Sequence, residues 1–120
     1  MTQDTEALVR ELHAREMIRQ VKWKNLRCLD TKRWDEMALT YHPDCTTSWL
    51  DGRIALEGRD AIMAFLRKTP FASEQNPFVT VHAAECIEID FVAPDHARSV
   101  SRLYNPMWQP EANVSQRLLA

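Results

Sequence analysis

From Thr5 to Leu29 the chain runs without a single Pro or Gly, and no other stretch constrains the fold as much. Leu8, Leu12, Ile18, Val21 and Leu29 return there at helical spacing, which predicts one long amphipathic helix that needs a second layer to lie on. Asn25 falls on the Ile18–Val21–Leu29 stripe, so its amide either marks the edge of the stripe or lines a polar pocket. Asp30-Thr31 then carries a cap signal. Trp34, Met37, Ala38 and Tyr41 repeat at helical spacing as a second, short helix that Pro43 stops.

Beyond Pro43 the period changes. Thr46 to Leu56 is rich in β-formers around Asp51-Gly52, a dipeptide that tolerates the positive φ of tight turns, and predicts a hairpin. After Gly58, Ala61, Ile62, Phe65 and Leu66 form a third helical stripe that Thr69-Pro70 ends. Phe78 to Phe91 and Ala97 to Tyr104 predict two long antiparallel strands turning at Pro94-Asp95. Strict alternation puts His82, Ala84, Cys86, Glu88 and Asp90 on one face, opposite Ile87 and Ile89, which are apolar enough to face the helices. A bulge between them would bring His82 round to the same side as the isoleucines. This order of elements predicts an α+β domain over residues 1–120, three helices packed on a curved antiparallel sheet, with 109–120 as a tail. The mouth of such a sheet suits a small ligand.

Composition narrows the function. Fifteen Lys and Arg against seventeen Asp and Glu leave a net charge of −2, which builds no basic face for nucleic acid or acidic membranes. No run approaches the roughly 18 apolar residues of a membrane span, and the acidic, polar start is unlike a signal peptide, so a cytoplasmic location is expected. Cys28, Cys45 and Cys86 cannot all pair within the chain and lack zinc-site spacing, so reduced thiols are expected. With Gly52 and Gly58 its only glycines, the chain has no phosphate-cradling loop, and no cofactor is implied. Tyr41-His42-Pro43-Asp44-Cys45 gathers possible metal ligands but reads as a turn, because no second ligand cluster accompanies it; no metal site is expected.

Three segments carry a family resemblance: Leu29-Asp30-Thr31-Lys32-Arg33-Trp34-Asp35, Gly58-Arg59-Asp60-Ala61-Ile62, and Thr80-Val81-His82 leading into Ile87-Glu88-Ile89. In that order and spacing the chain resembles the NTF2-like superfamily, in its SnoaL-like branch. The resemblance implies a cone-shaped α+β fold that hosts dehydratases, isomerases, cyclases and non-enzymatic carriers alike, so the site must decide the activity. The site residues most resemble those of the scytalone dehydratases. Asp30 and His82 fall at the positions of that family's Asp–His dyad, in which the His is the general base. The family's other site groups, two tyrosines and a second histidine, are matched by Leu29, Trp49 and Met107, which implies a base without its original electrophilic partner rather than scytalone dehydration itself.

The expected function is therefore binding of a small, apolar, oxygenated molecule, with a cofactor-free lyase or isomerase reaction run by Asp30 and His82. Asn25, Trp49, Cys86 and Met107 would shape the pocket. The competing reading makes Asp30 a plain helix cap and His82 a strand residue, in a non-catalytic ligand-binding or dimerisation module. A homodimer is expected under either reading. Relatives continue past Leu103-Tyr104-Asn105-Pro106 into further strands, so either a sheet edge here is left for a partner to pair or those strands are missing from this sequence.

Overall fold

The computed structural model describes residues 4–69 and 79–108. Helix α1 (Thr5–Thr31) is opened by Asp4, whose carboxylate accepts from the Glu6 N–H at 3.0 Å, and is closed by Lys32 at φ 57°. Lys32 N–H and Arg33 N–H return to Leu29 and Cys28 carbonyls at 3.3 and 2.8 Å. That left-handed residue reverses the chain without a glycine. Helix α2 (Trp34–Ala38) follows at once. It is shorter than its apolar repeat predicts, because Leu39, Thr40 and Tyr41 N–H groups each reach back three residues and tighten the coil before Pro43.

Strands β1 (Thr46–Trp49) and β2 (Ile54–Glu57) pair antiparallel with Trp49 opposite Ile54. Their loop is Leu50–Arg53, wider than a two-residue turn, with Leu50, Asp51 and Gly52 all at positive φ. Helix α3 (Arg59–Arg67) starts at Gly58, whose φ of 87° and ψ of 143° lie where side chains are strained. This lets Gly58 N–H reach Cys45 O at 2.7 Å and Arg59 N–H reach Pro43 O at 3.0 Å. The core gathers around Cys28, Met37, Ile62, Met63 and Leu66, flanked by Trp34, Tyr41, Trp49 and Phe65. Ala61 faces out and Met63 faces in, so the buried stripe of α3 sits slightly round from the one expected.

The long ribbon pairs β3 (Val79–Thr80) with β6 (Met107–Trp108) and β4 (Ala83–Ala93) with β5 (His96–Tyr104). Between Glu85 and Glu88 the register slips by one residue, with Cys86 at φ 54°. This bulge decides the parity: Thr80 and Ala84 are buried before it and Ile89 after it. His82 and Ile89 consequently face the same way, which unbroken alternation would forbid.

Helix α1 lies on β4 through polar hooks more than through its apolar residues. Trp23 Nε1 donates to Ala84 O at 3.3 Å, and Arg15 Nη1 donates to Ile89 O at 2.7 Å while its guanidinium covers the Phe91 ring. Leu8, Leu12 and Val21 are exposed, so the expected stripe of α1 does not bury along its first half; Leu26 and Cys28 anchor the second. Among the described residues the strands form three two-stranded ladders and not one continuous sheet, and no helix is long and apolar enough to cross a membrane. The tail at 109–120, the helix stop at Pro70 and the strand start at Phe78 lie outside the described residues.

Candidate active site

Asp30 does not cap α2. It lies in the last turn of α1, and the N-cap of α2 is Arg33, which makes no side-chain cap bond. A carboxylate at a helix C-terminus faces the negative end of the helix dipole, so it is held there only if other donors compensate. Three do. Thr80 Oγ1 donates to Asp30 Oδ1 at 2.8 Å, the His82 backbone N–H donates to Oδ2 at 2.8 Å, and His82 Nδ1 lies 2.6 Å from Oδ1. The side chains of His82 and Asp30 are 9% and 19% exposed, which shields these bonds from water.

A carboxylate can only accept, so the short contact places a proton on Nδ1, and the neutral tautomer that fits it carries its lone pair on Nε2. In that tautomer Nε2 is the ring's acceptor and can serve as a base. A groove of about 550 Å³ runs past the pair between α1 and β4, walled by Trp23, Leu26, Ala83 and Ala84 and rimmed by Arg27 and Glu85. Its size and mixed lining suit a small molecule of apolar body and few polar groups.

The structure distributes the other expected pocket residues unevenly. Met107 stands opposite Thr80 in the β3–β6 ladder, on the face that carries His82. Trp49 packs in the core with its ring 5.7 Å from Phe65. Asn25 spends an amide proton on Thr40 Oγ1 at 2.8 Å, tying α1 to the turn after α2. Cys86 is exposed at the bulge and is not brought to the others. Thr80 stands two residues before His82, so alternation puts the two on one face, but a lone threonine carries no motif of its own. His42 Nδ1 accepts from Asp44 N–H at 3.0 Å, closing a turn, and no three His, Cys, Asp or Glu among the described residues gather as metal ligands would.

The family model of the SnoaL-like domain matches residues 10–120. This chain belongs to the SnoaL-like domain family. The fold agrees: this SnoaL-like domain superposes on a provisionally assigned scytalone dehydratase of Novosphingobium aromaticivorans with a TM-score of 0.72 and 24% identity, covering 83% of this chain and 64% of that one. A protein from Catenulispora acidiphila matches with a TM-score of 0.67 and 18% identity, over 92% of this chain and 75% of that one. The SnoaL-like domain thus spans less than two thirds of the length of the first of these structures. At such identities the likeness is one of fold, the NTF2-like α+β fold expected from the sequence.

Proposed function

We propose that this SnoaL-like domain binds a small, largely apolar, oxygenated molecule and that His82, oriented by Asp30, removes a proton from a carbon beside a carbonyl. The observation that carries the reading is the three-donor hold on Asp30, which sets its carboxylate against His82 Nδ1 and so supports the tautomer whose lone pair is on Nε2. The carbon's proton moves to Nε2 and its bonding pair moves into an enolate. Loss of a β-hydroxyl with that proton gives a lyase; return of the proton to another carbon gives an isomerase. Neither route calls on a cofactor. Met107 walls the ligand from the neighbouring strand, and two copies pair as a homodimer.

The test uses 4-phenylbutan-2-one in deuterated water, with exchange of the protons beside its carbonyl followed by NMR. Wild-type protein should speed the exchange, His82→Ala should lower the rate by about 100-fold or more, and Asp30→Asn by about 10- to 100-fold. Equal exchange with wild type and His82→Ala sinks the proposal. A second reading, a non-catalytic ligand-binding or dimerisation module, draws on the apolar Leu29, Trp49 and Met107 and would then lead.

A further inference from the structure

Ala83 pairs with Tyr104 and Thr80 with Met107, so the register runs unchanged through the gap between the two ladders and sets His82 opposite Asn105 and Val81 opposite Pro106. The gap has a chemical cause. Val81 N–H donates to Pro106 O at 3.0 Å, but Pro106 has no N–H to return, so the pair is only half bonded. The next pair, His82 with Asn105, is then a non-hydrogen-bonded one, whose side chains approach most closely, with Cβ atoms about 5 Å apart. In this pair the backbone N–H points away from the partner strand, and that of His82 goes to Asp30.

The Asn105 carboxamide beside the base is incomplete. Its Oδ1 is shut off from water and accepts no hydrogen bond among the described residues. A buried acceptor left unpaired costs stability, so such a group calls for an explanation. The terminal torsion of an amide is soft, and a modest rotation turns its oxygen toward an arriving donor.

We infer that Asn105 is a substrate-binding residue, and that its Oδ1 accepts a hydrogen bond from a hydroxyl of the molecule seated against His82, so that the ligand is a hydroxy ketone and not a plain one. This rests on the proposed proton abstraction at the same site and deepens it: a hydroxyl held one strand away from the base is the group a dehydratase expels. In that step the C–H pair forms the C=C bond, the C–O bond breaks, and hydroxide leaves with the proton taken by His82 as water.

The experiment compares two ketones that differ only in that hydroxyl, 4-hydroxy-4-phenylbutan-2-one and 4-phenylbutan-2-one, by NMR-detected dissociation constants. Wild-type protein should favour the hydroxy ketone by about tenfold or more. Asn105→Leu, which keeps the branched outline and removes the orphaned acceptor, should bring that ratio close to one with a Tm no lower than wild type; Asn105→Ala serves in its place if the leucine variant does not fold. Asn105→Asp, which retains an acceptor, should restore part of the preference. A preference that survives in the leucine or alanine variant overturns the inference, as does its absence from the wild-type protein or failure of both ketones to bind. The base reading fails separately, on proton exchange that persists in His82→Ala.

Discussion

Thr80 shows how one hydroxyl can govern the chemistry of another residue. It is 6% exposed and donates to Asp30, so Thr80→Val leaves the carboxylate one donor short at the unfavourable end of a helix dipole. A hydrogen bond to a charged group contributes roughly 1.5–3 kcal/mol, and urea denaturation of Thr80→Val should show a loss of about 2 kcal/mol. Tyr41 offers a pH test. Burial raises its phenol above the ordinary 10.0, with the Asn25 amide offsetting part of the rise. The stabilisation it brings is whole below the unfolded phenol's pKa of about 10 and is lost as pH climbs through the higher folded value. Stability measured between about pH 9 and 11 should therefore fall less steeply in Tyr41→Phe, which has no proton to lose. The sequence made Asp30 and His82 candidates because two residue types stood at family positions, yet whether they met depended on a bulge fifty residues away from the helix. Thr80 and Asn105 carried no pattern of their own; their part is set by register, which a single sequence states only weakly.

At the scale of elements, the bulge at Cys86 joins two requirements that regular alternation would set against each other, a histidine facing α1 and an Ile87–Ile89 face toward the core. Deleting Cys86 removes the extra residue, so either His82 or Ile89 must turn outward. Unfolding free energy should drop by about 2–5 kcal/mol, the cost of losing a buried isoleucine, and the downfield NMR signal of the short Nδ1–H bond should broaden or vanish. A deletion with unchanged stability and an intact signal would mean that the bulge does not set the parity. The element types were readable from periodicity and breakers: three helices, a hairpin and two long strands lie where spacing places them. The ends were less so. α1 runs on through Asp30-Thr31 because Lys32 takes the left-handed cap that no glycine advertises, and α2 stops early because its last apolar positions are served by tighter turns. The buried face of α1 departs from the expected stripe because charged Arg15 and amphipathic Trp23 hold it to the sheet through their polar ends, a kind of contact that a hydrophobic pattern cannot express.

As a whole, the molecule is drawn out, with extents of 66 × 30 × 26 Å and a radius of gyration of 17.5 Å. A compact chain of this length has a radius of about 14 Å. Leu12 on α1 and Val100 and Leu103 on β5 are more than half exposed, which is apolar surface that a partner copy would cover. Sedimentation equilibrium should give a dimer at micromolar protein, and Val100→Lys with Leu103→Lys should shift it to monomer; a monomer in the wild-type protein at these concentrations removes the homodimer from the proposal.

The non-hydrogen-bonded pairing of His82 with Asn105 has one more consequence. A strand amide normally exchanges with solvent only when its sheet opens, but the His82 amide is bonded to a single side chain on another element. Removing that carboxylate in Asp30→Ala frees one backbone hydrogen without opening the ribbon. The deuterium uptake of this single amide is thus a built-in gauge of whether the site is assembled, readable with no ligand or assay in hand.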